Sequence, residues 1–235
     1  MNSYNRYYWD VLYPLQDGVM RIIKRLNTPF FLTGGTALSR HYFHHRYSDV
    51  LDLFTNADPR YQEYVETILG ELFRCESALQ IQIDRTSLRR LKDFTQVFIH
   101  PSSNSDIILK IDMVNDIAVH YGENEMDETL GVIDSWRNIL SNKISALFRF
   151  EPKDVADIWM IAKKKPFAWN TLITEAKNKE AGVEPEIIYN ILRSFPIDQF
   201  DIVRWVSSPE KNEIRNELIM IADDIFYGRK NSLCE

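Results

Sequence analysis

Two short stretches hold the residue types from which a phosphate- and metal-handling site is made. The first, residues 30–54 (FFLTGGTALSRHYFHHRYSDVLDLF), sets the apolar run Phe30-Phe31-Leu32 against Gly34-Gly35. A helix-like segment follows over 36–44, and a return run carries Asp52 between Leu51 and Leu53. Paired glycines let a backbone approach a bulky anion because no Cβ intervenes. The free N–H groups at a helix start favour phosphate, and an acid on the neighbouring strand offers oxygen ligands to a divalent metal ion. The second stretch, residues 107–114, is apolar except for Lys110 and Asp112, which fall on one side of a strand. Buried ionisable groups are costly unless paired or holding a ligand. Asp112 is therefore a candidate to hold a ligand, or one half of a salt bridge with Lys110. The glycines and Asp52 also have a plain reading, a turn and a solvated acid.

The elements that must position these residues follow from periodicity. Residues 5–26 carry apolar side chains at helical spacing and stop at Asn27-Thr28-Pro29. Asp58-Pro59 opens a second helix to about residue 73. Three strand-like runs follow at 79–84, 94–100 and 107–114, the last reading as a central strand buried on both faces. Residues 120–128 are polar and acidic, an expected exposed loop, and a short apolar run covers 130–133. From about residue 137 the pattern is helical to the end, with segments at 138–148, from Pro152, and at 172–179, 185–194, 197–205 and 209–227. The expected fold is α+β: a mixed sheet flanked by helices over 1–135, then a helical domain over 136–235.

Composition narrows the class. The chain has 235 residues, 45% hydrophobic and 26% charged, with a net charge of -6 and a mean hydropathy of -0.30. That balance argues against indiscriminate coating of nucleic acid. No apolar run approaches the ~20 residues of a membrane span. The start lacks the regions of a signal peptide, so the expected location is cytoplasmic. Cys75 and Cys234 show no ligand spacing and are expected as reduced thiols.

The run Gly34-Gly35-Thr36-Ala37-Leu38, then Tyr42, His45-Arg46, Ser48 and Leu51-Asp52-Leu53-Phe54, resembles the signature of the AbiEii/AbiGii toxin nucleotidyltransferases, of the DNA polymerase β-like superfamily. The resemblance is renewed by Asn142, Lys143, Ala146, Leu147, Arg149, Asp154, Asp157 and Ile158. It implies a polymerase β-like core that works with Mg2+ on a nucleoside triphosphate bound between core and helical domain, an RNA acceptor (tRNA in some members), and a cognate antitoxin. By that similarity Asp52 and Asp112 are metal ligands, and Gly34, Gly35, Thr36, Ser48 and Lys143 contact the nucleotide. Asp154 completes the catalytic set of Asp52, Asp112 and Lys143. Arg46 and Lys163-Lys164-Lys165 are expected along the RNA path.

One position departs from the family pattern: Val50 stands where the first Asp of Asp-x-Asp is expected. Residues two apart on a strand share a face, whereas Asp49 and Asp52 are three apart and point oppositely unless a bulge re-aims Asp49. The sequence thus predicts a weakened transferase, with a nucleotide- or RNA-binding protein of the same fold as the alternative.

Overall fold

In the computed structural model, which describes residues 3–234, the N-terminal amphipathic segment folds as α1 (Ser3–Tyr7) and α2 (Tyr13–Leu26) joined through a π-turn, Tyr8–Leu12. The wide turn has a cause in the sequence. Pro14 has no N–H to donate and its ring crowds the carbonyl four residues back. The Tyr13 N–H accordingly reaches the carbonyl of Tyr8, one residue beyond the α-helical partner. Asn27, with φ 50°, closes α2 in the left-handed region.

The strands are β1 (Phe31–Thr33), β2 (Val50–Asn56), β3 (Ile81–Ile83), β4 (Arg89–Arg90), β5 (Phe94–Pro101), β6 (Leu109–Asp116), β7 (Glu125–Asp127) and β8 (Gly131–Ile133). They form one mixed sheet in the order β3-β5-β6-β2-β1-β8-β7, with β4 on β5. β2 runs parallel to β6, and β1 parallel to β8; the other pairs are antiparallel. Leu51 and Leu53 of β2, with Ile111 and Met113 of β6, point to one buried face. Helix α4 (Tyr61–Leu79) buries Val65, Ile68 and Leu72.

Two sequence expectations are corrected here. The β6 strand is buried on one face only, because Lys110, Asp112 and Val114 on the other side stay half-exposed. Within the expected acidic loop, Glu125–Asp127 pairs as the edge strand β7; three residues with a single apolar side chain, Met126, are too short a run to announce a strand.

The chain divides into two compact units. The first takes the residues up to Ala37, Ser48–Ala118 and Glu123–Asp134, and the second takes Leu38–Tyr47, Val119–Gly122 and the chain from Ser135 on. The expected helix at 36–44 is shared out accordingly: α3 (Gly34–Ala37) lies in the first unit and a π-turn, Leu38–Tyr42, in the second. The second unit is built from α5 (Trp136–Ser145), α6 (Pro152–Lys164), α7 (Trp169–Lys179), α8 (Pro185–Arg193) and α9 (Lys211–Phe226). Ser135 caps α5, accepting from the N–H groups of Arg137 and Asn138. The expected helix at 197–205 is reduced to a 3-10 turn, Ile197–Ile202. Its remainder is held extended instead: Tyr47 N–H donates to the Arg204 carbonyl and Val206 N–H to that of His45. Among the described residues no helix is long and apolar enough to cross a membrane.

Candidate active site

The strand register assembles a polar row across the first unit. Gln96 on β5 stands opposite Asp112 on β6, Asp112 opposite Asp52 on β2, and Asp52 opposite Thr33 on β1. Partners across a ladder share a face, and adjacent strands lie about 4.8 Å apart. The two acids thus come from residues 60 positions apart onto neighbouring points of one half-exposed face. Phe98, Lys110 and Val50 form the next row.

Each member of the polar row has a partner. Gln96 Nε2 donates to Asp112 Oδ1 at 2.8 Å, and Lys110 Nζ to Asp112 Oδ2 at 2.6 Å. The salt bridge anticipated as an alternative is formed, with the Lys110 side chain 34% and that of Asp112 15% exposed. The Thr33 hydroxyl donates to the buried Asp134 carboxylate.

Gly34 is fitted to Asp52. Its φ is +67°, and a Cβ placed there would stand 2.6 Å from Asp52 Oδ2. Only glycine allows the turn and the carboxylate to come this close. Thr36 is fully buried; its hydroxyl donates to the Val50 carbonyl, and Ser48 Oγ lies 2.9 Å away. Both hydroxyls bind the glycine turn to the start of β2. Gly35 is buried in the same turn. The carbonyl of Ser48 accepts from Gln16 Nε2 at 3.1 Å.

Asp49 precedes β2 and accepts a hydrogen bond from the Tyr8 hydroxyl. The β2–β6 register is continuous from Val50 to Asn56, and Asp49 lies outside it. Val50 stands two residues before Asp52 on the same half-exposed side of β2.

Lys143 and Asp154 lie in the second unit, in a buried ionic network whose centre is Asp157. Arg46 Nε and Nη2 each donate to Asp157 at 2.7 Å, His45 Nε2 lies 2.9 Å from Oδ1, and Lys143 Nζ 2.9 Å from Oδ2. Lys143 also reaches Asp154 Oδ1 at 2.5 Å, and Arg149 donates to Asp154 Oδ2 at 2.7 Å. Burial alone would raise the pKa of Asp157, but the adjacent Arg46 and Lys143 hold it well below the usual carboxylate range. Burial works to lower Lys143, yet Asp157 and Asp154 raise it above its ordinary value. Burial lowers the imidazole of His45, opposed by its hydrogen bond to Asp157. Since the Asp157 carboxylate only accepts, neutral His45 carries its proton on Nε2.

The arrangement separates what the sequence had grouped. Arg46, expected on the RNA path, is 3% exposed and chelated by Asp157. Lys163 is engaged by Glu213 and Glu217. The hub Asp157 had no role from sequence reasoning. Arg46 and Lys143 are buried cations that require a buried anion, and their burial is not written in the local sequence pattern.

A divalent ion fits the row through the chemistry of its donors. Asp52 and Asp112 offer adjacent carboxylate oxygens beside a cradle that a Cβ would fill. Mg2+ is ordinarily held by one or two carboxylates plus substrate phosphates rather than by a protein cage. Among the described residues no group of three or more His, Cys, Asp or Glu side chains gathers to hold a metal.

Comparison with known proteins adds the following. Residues 21–207 match the family described as AbiEii, Nucleotidyl transferase AbiEii toxin, Type IV TA system. In fold the chain is similar to JHP933 from Helicobacter pylori, at 20% identity, TM-score 0.62 and 90% of each chain covered. A putative nucleotidyltransferase from H. pylori gives 20% identity and TM-score 0.58, covering 90% of this chain and 93% of that one. MenT4, nucleotidyltransferase toxin Rv2826c from Mycobacterium tuberculosis H37Rv, gives 11% identity and TM-score 0.57, covering 91% and 85%. No curated protein sequence matches this chain.

Proposed function

The chain belongs to the AbiEii family of nucleotidyltransferase toxins of type IV toxin–antitoxin systems, and from that premise we propose that it binds a Mg2+-complexed nucleoside triphosphate and transfers its nucleotide to an RNA acceptor, tRNA in the first instance, in the cytoplasm. Membership of a toxin–antitoxin system implies an antitoxin partner. The observation that supports the site most strongly is the register that sets Asp52 beside Asp112 on a half-exposed face, with Gly34 against Asp52.

Asp52 and Asp112 would hold the metal. The ion, when bound, neutralises charge on the triphosphate and helps align an attacking hydroxyl. The backbone of Gly34-Gly35 gives the phosphates room to approach, while Thr36 and Ser48 hold that turn on β2. Lys110 and Gln96 fix both oxygens of Asp112. Lys143 and Asp154, expected at the nucleotide from the resemblance, are engaged with each other and, through Lys143, with Asp157 inside the second unit.

Val50 sets the expected level of activity. Without the first carboxylate the reacting atoms are less well held, and ~1 Å of misplacement costs on the order of 10²-fold in rate. The same residue favours a second reading, a nucleotide- or RNA-binding protein without transfer. Labelled-nucleotide incorporation into total tRNA, run with each of the four ribonucleotides, separates the two. Val50→Asp is expected to raise incorporation about 10²-fold, and Asp52→Ala in that background to abolish it. Equal incorporation by the native and Val50→Asp proteins would contradict the role given to this position. Absence of incorporation by both would favour the binding reading.

A further inference from the structure

The register places a cation where the family pattern has an acid for a neighbour. Lys110 is the ladder partner of Val50. Its stem lies in the row of Phe98 and Val50, and its ammonium turns to the next row, onto Asp112 Oδ2 at 2.6 Å. Were position 50 an Asp, Lys110 would stand between two carboxylates, those of positions 50 and 112. Here its ion pair among the described residues is with Asp112. The local charge is therefore two carboxylates and one ammonium, a net of -1, where an Asp-x-Asp chain with the same lysine would carry -2.

We infer that Lys110 is a resident cation of the nucleotide site, occupying one face of Asp112 and, together with Val50, limiting the site to a single divalent ion. This rests on the proposal that the Asp52–Asp112 face holds a triphosphate. Two physical points carry it. A second ion needs carboxylate ligands of its own, and the donor that would be shared, at position 50, is a hydrocarbon. The Oδ2 lone pairs of Asp112 facing Lys110 are taken by a charge-assisted hydrogen bond, and Gln96 takes Oδ1, so Asp112 reaches a metal only with what remains. An ammonium at this position also attracts phosphate oxygens without any metal. Lys110 thus acts on charge and ligand count, and is a binding residue of the triphosphate rather than a group that moves a proton.

The test is a count of bound metal rather than a rate. Mn2+ is titrated into the full-length protein saturated with a non-hydrolysable α,β-methylene triphosphate, and bound Mn2+ is counted by electron paramagnetic resonance. The expected result is one Mn2+ per complex for the native chain and two for Val50→Asp. Lys110→Met, whose side chain is partly exposed and whose fold is checked by its thermal transition, is expected to weaken the analogue at least tenfold in EDTA. Two Mn2+ in the native complex, or unchanged affinity of the folded Lys110→Met protein in EDTA, would overturn the inference while leaving the triphosphate site intact. Failure of every variant to bind the analogue, with or without Mn2+, would instead overturn the site itself and the inference with it.

Discussion

The two charge clusters of this protein are opposites in design. The row on the sheet keeps Asp52 and Asp112 on a half-exposed face, where water, metal or phosphate can reach them. The network around Asp157 is closed: the side chains of His45, Arg46 and Asp157 are 1%, 3% and 0% exposed, and Asp157 is met by three cationic or imidazole groups. Both clusters contain acids beside lysines, so residue type does not tell them apart. Burial does. Ionic groups buried with their counter-charges hold a fold in register, whereas ionic groups left half-exposed can be reached by a ligand.

The sharpest way to break this contrast is to remove the hub. Asp157→Ala would leave Arg46 buried without its anion and Lys143 with Asp154 alone, and breaking a buried pair from one side costs about 3–5 kcal/mol. Urea denaturation should show a loss of that size, or no folded protein. A loss below about 1 kcal/mol would mean that the network is solvated and that the contrast fails.

The next largest effect belongs to the other cluster. Gly34→Ala puts a Cβ 2.6 Å from Asp52 Oδ2 at a residue with φ +67°, and the left-handed conformation alone costs a non-glycine residue roughly 1–2 kcal/mol. The displaced carboxylate should cost on the order of 10²-fold in transfer, measured in the Val50→Asp background where activity is easiest to read. Full activity with normal stability would show that the turn and Asp52 are independent.

How much of this was legible beforehand differs between the clusters for the same reason. The short run 50–54 and the nearly continuous apolar run 107–114 announced two strands, with Lys110 and Asp112 on one side of the second, and that part follows from local pattern, although the second strand is buried on one face only. That β2 and β6 are neighbours, and that Val50 meets Lys110, is a matter of register between segments 60 residues apart, which no local period encodes. Asp157 illustrates the same limit. Its helix was visible from Pro152 on, but its partners His45 and Arg46 come from 112 and 111 residues earlier in the chain. Residues 197–205 failed in the other direction: a sound helical pattern gave way after Ile202 because the backbone of 204–206 pairs with that of 45–47.

A smaller effect should appear in pH. The folded-state pKa of His45 lies below its ordinary value of 6.5 because of burial, so the unfolded chain binds the proton more tightly. Stability from this group is complete above about pH 6.5 and declines as pH falls below it, with a slope of at most about 1.4 kcal/mol per pH unit for one proton. Asp157, held below the carboxylate range, adds a second decline at pH values below about 3.8. Unfolding free energies between pH 7.5 and 5 should therefore fall in the native chain, and His45→Gln should flatten that slope. An unchanged slope would mean that His45 is not held neutral by its surroundings.

The claim that the sheet face holds the nucleotide while the Asp157 network holds the fold is tested most directly by calorimetric titration of Mg2+–triphosphate into the native chain and Asp52→Asn, with thermal unfolding measured on the same samples. The account predicts that Asp52→Asn weakens binding at least tenfold while its unfolding transition stays close to that of the native chain. Equal affinity of the two proteins, or no binding to the native chain at millimolar concentration of any ribonucleotide, would contradict it.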